Sequence, residues 1–375
     1  MNSIRKLRKA IREVPIEGGR FIRKQYPAFV TARSPEKDPN TVPVFMFHAV
    51  QPERFKAQID FLRKNGYATL SLDEFTRFLQ GTFQPVEPSV LLTFDDGDIS
   101  WYETAYPVLK NAGMRAAGFL IPSYIPDGPD SSPWLNWEQA REMEASGVFE
   151  FASHTCNHDR VFTSARRVDF MHPAFDKNPL NLDTPWFQET EGTTQRIPMG
   201  APIYTHAPRT ATERIFIDSP EVRRQCADWV SRRGGGEFFQ TPNWRQELEK
   251  TYQTLSREQG AGDVSTPEQA REWLTHDLKK ARTLLHEKLG HPVSQLCFPW
   301  GEGSEFALAC AREAGYESCF WVCTTRNQNH RGDNPFYIPR LKDDYLQRLP
   351  GEHRKPLLTL FSEKISRRKN AEHLY

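Results

Sequence analysis

The sequence predicts an α/β fold with a parallel β-sheet, and three observations lead to this class. Short apolar runs alternate with helical stretches over residues 42–158 and again over 266–341, a pattern typical of βα units. Hydrophobic residues make up 38% and aromatic residues 12% of the chain, which permits a substantial core. Polar clusters directly follow several apolar runs, at the strand ends where parallel sheets carry catalytic groups. The pattern leaves open whether the sheet is open or closed into a barrel.

The predicted elements follow one another in a regular order. Strands are predicted at 42–47, 67–72, 89–94, 115–121, 148–153, 293–298 and 317–322, with a final edge strand in FYIPRL at 336–341. Helices are predicted at 52–65, 73–80, 101–112, 136–146, 266–289 and 304–314. The last strand is assigned to an edge because Pro339 cannot donate a hydrogen bond to a neighbouring strand.

The alternation divides the chain into a main domain and three additions. Residues 1–40 are predicted to form a basic extension, 41–345 the main domain and 346–375 a polar tail. The main domain is interrupted by residues 160–262, which are too many for a loop without its own structure. We therefore predict a folded insertion, helical in part over 219–257.

Net charge, cysteine content and the lengths of the apolar stretches indicate which partners and which cellular compartment to expect. The net charge of +1 gives no reason to expect nucleic acid as a partner. Six cysteines without a CxxC pair fit free thiols in a reducing compartment. No apolar stretch is long enough to span a membrane, and no apolar segment typical of a secretory signal follows the basic start. A cytoplasmic location is expected, and the oligomeric state is left open.

The first residues of the chain have an amphipathic pattern. Ile4, Leu7, Ile11 and Val14 recur at helical spacing with basic residues between them. Such a segment can contact an anionic membrane surface. A solvated basic arm that packs on the main domain explains the pattern equally well.

Two carboxylates and two histidines suggest a metal site. Asp95 and Asp96 end the strand at 89–94, and His154 and His158 stand four residues apart after a later strand. In one helical turn both imidazoles would project to the same side. Two imidazoles and one carboxylate hold a divalent ion with a position left open, and the second carboxylate can act as a general base. The alternatives are a strand-ending turn for the aspartates and two unrelated surface histidines.

A general acid and an oxyanion stabiliser would complete such a site. His48 follows the first strand and is a candidate general acid, with a satisfied core histidine as the alternative. Pro299, Trp300 and Gly301 form a predicted sharp turn whose backbone N–H could stabilise an oxyanion. The Trp300 ring could also pack in the core.

These residues together resemble the polysaccharide deacetylase family, also called the NodB-homology or carbohydrate esterase family 4 domain. The family motifs TFDDG, H-[ST]-x-x-H and P-[YW]-G match Thr93-Phe94-Asp95-Asp96-Gly97, His154-Thr155-Cys156-Asn157-His158 and Pro299-Trp300-Gly301. Residues 43–50 and 55–75 resemble the branch that deacetylates poly-N-acetylglucosamine. The resemblance implies a distorted (β/α) barrel that hydrolyses N-acetyl groups of amino sugars with the help of a metal ion.

The resemblance also implies a role for each motif residue. Asp95 would be the base and His48 the acid, while Asp96, His154 and His158 would hold one divalent ion. The ion expected is zinc, with cobalt, nickel or manganese as alternatives.

The sequence departs from the family pattern at three places. Many members carry arginine two residues before the proline of the third motif, where this chain has Cys297. Arg340 is expected to orient Asp95 instead. The late aspartate and histidine motifs of the family are not recognisable, and the 160–262 insertion is not part of the common pattern.

The insertion follows the metal ligands directly and is expected to form a substrate wall or lid. Candidate substrate contacts are Pro299, Trp300, Tyr204, His206 and Arg209. Trp186, Phe187, Tyr204 and Trp244 could stack on sugar rings or form the core of the insertion.

The expected function is removal of an acetyl group from an N-acetylated amino sugar in a glycan or in a lipid-linked or nucleotide-linked biosynthetic intermediate. The alternatives are a related barrel amidase acting on a small non-sugar amide and an inactive sugar-binding module.

Overall fold

The computed structural model describes residues 26–129, 132–175, 182–189, 192–322 and 328–369. Contacts divide the chain into two compact units. The first comprises the described chain up to Cys156, Ala281–Gly301, and the described residues from Tyr316 onward; the second comprises Asn157–Lys280 and Glu302–Gly315. The segment 4–14, with its predicted membrane contact, lies outside the described residues. None of the described helices combines the length and the apolar character needed to cross a membrane.

Strands and helices alternate along much of the chain. The described strands are β1 (Val44–Phe47), β2 (Ala68–Thr69), β3 (Ser89–Asp96), β4 (Ala116–Leu120), β5 (Phe149–Ser153), β6 (Arg160–Phe170), β7 (Trp186–Gln188), β8 (Thr194–Arg196), β9 (Pro202–Pro208), β10 (Phe216–Asp218), β11 (Gly262–Val264), β12 (Gln295–Cys297), β13 (Ser318–Val322) and β14 (Ile338–Lys342). The described helices are α1 (Ala28–Thr31), α2 (Pro52–Lys64), α3 (Leu72–Leu79), α4 (Tyr106–Ala112), α5 (Trp137–Ala145), α6 (Pro220–Ser231), α7 (Trp244–Gln259), α8 (Pro267–Leu289), α9 (Glu305–Glu313) and α10 (Leu357–Lys369). A π-helical turn at Trp101–Ala105 leads into α4, and 3₁₀ turns lie at Arg209–Ala211, Gly235–Gln240, Pro299–Gly301 and Asp343–Arg348.

Parallel strands of the first unit close into a barrel. Among the described strands the order is β1, β14, β13, β12, β5, β4 and β3, and β3 pairs back onto β1. The short strand β2 pairs with β3 as an addition to the ring. The predicted α/β class and the barrel implied by the family resemblance are both confirmed.

Side-chain alternation along β3 places its residues on two layers. Leu91 packs in the barrel interior with Phe320 and Ile338. Because side chains alternate along a strand, Asp95 faces the same interior as Leu91. Phe94 faces the other way, and its ring lies 4.9 Å from that of Phe47. Two adjacent residues of β3 therefore have different roles: Phe94 packs on the outside of the barrel, and Asp95 places a carboxylate inside it.

The strand β14 is not an edge strand, and that prediction is wrong. It lies between β13 and β1, because closure of the barrel leaves it no free side. Pro339 is tolerated because the pairing of β14 with β1 involves only Leu341 and Lys342, beyond the proline. The Pro339 carbonyl accepts a hydrogen bond from Asn329 Nδ2 at 3.0 Å.

The second unit contains all described residues of the predicted insertion. The helices α6 and α7 lie within the predicted helical stretch. A four-stranded sheet in the order β8, β7, β6, β9 was not predicted, because its strands are short or carry polar residues at many positions. The core of this unit includes Phe162, Phe170, Tyr204 and Phe216.

Candidate active site

The last two residues of β3 are Asp95 and Asp96, and both are buried. Consecutive strand residues point to opposite sides, so the two carboxylates diverge. Asp96 has a left-handed backbone conformation with φ 90°, which is uncommon for residues other than glycine. Strained backbone of this kind is concentrated at functional sites. The carboxylates of Asp95 and Asp96 therefore lie in two different environments.

Asp95 is held by the guanidinium of Arg340, which comes from β14. Arg340 Nη1 donates to Asp95 Oδ1 at 2.6 Å, and Nη2 donates to Oδ2 at 2.7 Å. Burial alone would raise the pKa of Asp95, but the Arg340 charge overcomes this effect and holds the pKa well below its usual range. Asp95 is therefore an ionised carboxylate in a fixed orientation, and the predicted contact with Arg340 is present.

Cys297 of β12 lies beside this ion pair. Its Sγ atom is 3.0 Å from Arg340 Nη2 and 3.7 Å from each Asp95 oxygen. Burial raises the pKa of the thiol, so the thiol stays protonated. The arginine that contacts Asp95 thus comes from β14, while β12 contributes a small neutral side chain that leaves room for it.

Asp96, His154 and His158 form a buried group whose candidate ligand atoms all lie within 4.8 Å of one another. His154 Nε2 is 3.4 Å from Asp96 Oδ1. His154 Nδ1 is 2.9 Å from the Cys297 carbonyl oxygen. Because a carbonyl only accepts, Nδ1 carries the hydrogen and the Nε2 lone pair can face a metal ion.

The two histidines lie in the loop after β5 and not in a helical turn, so that interpretation is wrong. Thr155 and His158 have positive φ angles of 65° and 49°, which a right-handed helix does not contain. The His154 amide donates to the Leu120 carbonyl at 2.8 Å, which fixes the start of the loop against the end of β4. The loop still brings both imidazoles to Asp96.

A second group of potential ligands consists of Asp95, His154 and Cys297. Both Asp95 oxygens already accept from Arg340, the Cys297 thiol is protonated, and His154 Nδ1 faces a carbonyl. Two imidazoles and a carboxylate are the donors that zinc and similar ions bind. The residues therefore fit a divalent ion at Asp96, His154 and His158 and not at the second group.

The candidate acid and the third motif follow barrel strands at the same end as Asp95. His48 directly follows β1 and is half-buried, and a positive charge on it would lower the pKa of Asp95. The Pro299–Gly301 turn follows β12, with Trp300 in a left-handed conformation at φ 55°. The Gly301 amide donates to the Phe298 carbonyl at 2.8 Å, which closes the turn.

Replacement of Gly301 by alanine is expected to destabilise the fold strongly. An added Cβ would lie 2.1 Å from Val322 Cγ2 and 2.4 Å from the Val322 backbone nitrogen, which cannot move cheaply. Gly113 has the same φ of +66° but open space around its Cβ position, so Gly113→Ala is a matched control for backbone strain alone. We expect Gly301→Ala to lose about 1–3 kcal/mol more than the control in urea unfolding. Equal losses would contradict the close contact.

Tyr204 does not lie where a substrate could reach it, so its predicted substrate contact is wrong. Its side chain is fully buried in the core of the second unit, with its ring 5.0 Å from that of Phe216. Phe187 belongs to the same core beneath the guanidinium of Arg223. Both rings thus have the core role that was the alternative.

Trp186 and Trp244 are half-buried, and each ring has an arginine over it. The distance from the guanidinium carbon to the ring centroid is 4.2 Å for both Arg196 over Trp186 and Arg245 over Trp244. These arginines occupy one ring face each, which leaves less surface for a sugar.

His206 and Arg209 lie in the second unit as polar side chains with partners. Arg160 Nε donates to His206 Nδ1 at 3.0 Å, and burial together with the Arg160 charge lowers the pKa of His206 to about 4. His206 is therefore neutral. Arg209 is 3% exposed and pairs with Asp159. Their contact with substrate stays a prediction.

Sequence reasoning missed an aromatic pair next to the Asp96 loop. The rings of Tyr124 and Trp134 lie 5.0 Å apart. Trp134 forms a β-bridge with Asp98, and the amide of the next residue donates to the Gly97 carbonyl at 2.8 Å. The sequence position of this loop, directly after β4, could have indicated the pair, because loops at this end of a barrel carry catalytic and binding residues.

Comparison with known proteins agrees with the family resemblance of the sequence motifs. The family model for polysaccharide deacetylase matches residues 84–202. YxkH of Bacillus subtilis (strain 168), named for the same family, is 36% identical over 128 residues, which are 32% of this chain and 44% of that protein. The poly-beta-1,6-N-acetyl-D-glucosamine N-deacetylase of Escherichia coli (strain K12) is 27% identical over 261 residues, 65% of this chain and 38% of the relative. The chain thus spans less than half the length of these two relatives.

A solved structure supports the fold. The deacetylase domain of BpsB from Bordetella bronchiseptica superposes with a TM-score of 0.52 at 16% identity, covering 82% of this chain and 97% of that one. The family match over residues 84–202 and the three motifs at the ends of barrel strands make this part of the chain similar to the polysaccharide deacetylase family.

Proposed function

We propose that this protein is a metal-dependent deacetylase that hydrolyses the N-acetyl group of an amino sugar. The observation that carries the proposal is the buried Asp96, His154 and His158 group directly beside an ionised carboxylate, Asp95. A structural metal site would have no need of a second carboxylate that an arginine keeps charged. The curated E. coli relative is named as a deacetylase of an N-acetylglucosamine polymer, which supports the choice of an amide on a sugar.

The proposed chemistry divides between the metal ion and the protein side chains. Asp96, His154 and His158 would hold the ion, which when bound activates a water molecule and polarises the amide carbonyl. Asp95 accepts the proton of the attacking water on one of its two carboxylate oxygens. Each oxygen accepts one hydrogen bond from Arg340 and still has a lone pair for the proton. Because its pKa is low, Asp95 holds that proton only briefly.

The proposed leaving-group step uses His48. Its half-buried position after β1 allows contact with solvent and substrate. His48 would protonate the departing amine. A backbone N–H at Trp300 would donate to the oxyanion, since the left-handed conformation there turns the peptide out of the strand direction.

Three kinds of amino-sugar substrate are compatible with the proposed reaction. An N-acetylglucosamine polymer and a lipid-linked or nucleotide-linked amino sugar each present the required amide. The cytoplasmic location expected from the sequence stays a prediction, as does peripheral membrane contact. A small non-sugar amide and an inactive binding module are the competing outcomes.

Acetate release tests the proposal. The purified protein should be loaded with zinc, cobalt, nickel or manganese and incubated with N-acetylglucosamine oligomers, nucleotide-linked N-acetylglucosamine and lipid-linked N-acetylglucosamine. Small non-sugar acetamides are tested in parallel. We expect acetate from at least one substrate and none after chelation, with activity restored by the metal. Failure of every metal-loaded form on every sugar would reject the proposal, and release only from small non-sugar amides would favour the amidase.

A further inference from the structure

The second unit contains a buried arginine with an open hydrogen-bonding edge. Arg209 is 3% exposed, and among the described residues its Nε and Nη2 atoms have no hydrogen-bond partner. The remaining nitrogen, Nη1, donates to Asp159 Oδ2 at 3.3 Å. This distance is longer than the 2.7–2.9 Å typical of a bond between a cation and a carboxylate. The charge of Arg209 is thus only weakly compensated inside the protein.

Nε and Nη2 are the two nitrogens on one side of a guanidinium. Their hydrogens point in parallel, so together they bind both oxygens of a carboxylate or phosphate. A buried charge without such compensation costs several kcal/mol, and two adjacent open donors are unusual in a folded protein. Other buried arginines of this chain are better satisfied: Arg223 pairs with Asp218 and stacks on Phe187, and Arg340 forms the fork with Asp95.

The backbone at Arg209 is fixed on two sides. The Arg209 amide donates to the Asp159 carbonyl at 3.1 Å. Thr210 Oγ1 donates to the Glu302 carbonyl at 2.6 Å, and Ser304 Oγ donates to the Thr210 carbonyl at 3.0 Å. The backbone that carries Arg209 is therefore fixed before any ligand arrives, and burial restricts the motion of its side chain, which lowers the entropic cost of binding.

The chain connects this edge to the catalytic motifs. Asp159 directly follows His158, and Glu302 directly follows the Pro299–Gly301 turn. Two of the residues that fix this backbone, Asp159 and Glu302, are thus the first ones after two of the three family motifs. A ligand group bound at Arg209 would lie on segments that continue directly from the candidate active site.

We propose that the Nε and Nη2 edge of Arg209 binds an oxyanionic group, a carboxylate or a phosphate, of the sugar substrate. That this oxyanion belongs to the substrate rests on the proposed deacetylase function, whereas anion binding at the edge does not. A neutral pair of sugar hydroxyls would also satisfy the two donors. An oxyanion is favoured because it compensates the charge as well as the hydrogen bonds.

The first test is direct binding, independent of activity. Inorganic phosphate and acetate are titrated by calorimetry into metal-free protein, because a bound metal ion would itself bind these anions. The variant Arg209→Lys keeps the charge but cannot form the two parallel bonds. The control Arg223→Lys changes another buried arginine of the same unit. We expect wild type and the control to bind phosphate or acetate, and Arg209→Lys to bind at least about tenfold more weakly.

The second test asks which oxyanion the substrate carries. N-acetylmuramic acid offers a carboxylate, N-acetylglucosamine 1-phosphate a phosphate and N-acetylglucosamine neither, and all three are titrated into wild type and Arg209→Lys. We expect one charged sugar to lose affinity in the variant and the neutral sugar to be unaffected. Absence of anion binding by wild type, equal effects of the two arginine variants, or an equal loss for the neutral sugar would each overturn the proposal. Acetate release from neutral oligomers reports separately on the deacetylase function.

Discussion

Replacement of Asp95 by asparagine is expected to abolish acetate release while leaving the metal site occupied. A general base contributes about a hundredfold to ten-thousandfold to rate, and asparagine cannot accept the proton. Asp96, His154 and His158 are untouched, so metal content measured by mass spectrometry should stay near that of wild type. Initial rates of acetate release over a range of substrate concentrations would locate the loss in kcat.

The same substitution is also expected to destabilise the fold, because it leaves Arg340 buried without its carboxylate. Removing one partner of a buried pair costs about 3–5 kcal/mol. The double variant Asp95→Asn with Arg340→Gln removes both charges and should regain part of that stability in urea unfolding without regaining activity. If the double variant regains activity along with stability, Asp95 acts only as a structural partner of Arg340. Substantial activity of Asp95→Asn alone would contradict its role as base.

Replacement of His158 by alanine is expected to eliminate metal binding and activity together. Three ligands form the proposed site, and loss of one imidazole from so small a set weakens binding severely. Wild type should gain about 4 kcal/mol of unfolding free energy when the metal is present at a thousand times its dissociation constant. His158→Ala should show almost none of that gain in thermal unfolding.

The matched control is His291→Ala. His291 lies at the surface, with 46% of its side chain exposed, and pairs with Glu144. It should retain both the metal-dependent stabilisation and the activity. A metal-dependent stabilisation of equal size in His158→Ala and wild type would place the ion elsewhere.

The sequence allowed the barrel strands and the metal group to be predicted because their signals are local. Apolar runs such as 89–94 have few other interpretations, and the polar residues after them meet wherever parallel strands share one end. Asp96, His154 and His158 come together for this reason even though their loop is not helical. The left-handed residues of that loop have no reliable signature in a single sequence.

Other features depend on tertiary context. The position of β14 inside the barrel follows from closure, which the strand itself does not encode, and Pro339 pointed to an edge. Tyr204 lies in a strand whose partners were not predicted, so its burial could not be recognised. The open edge of Arg209 depends on the distances to its neighbours, and no pattern in the sequence reports them.

The ion pair of Asp95 and Arg340 also has a consequence for how the protein is made. The two residues are 245 positions apart in the chain, and they meet only when β14 has joined the ring. Until then Asp95 has no counterion, and contacts between such distant segments form late and slowly during folding. The three metal ligands all precede residue 160, so they are synthesised long before the arginine that orients the base. Hydrolysis should begin only after the last strand is in place, which makes activity a sensitive report of complete barrel closure.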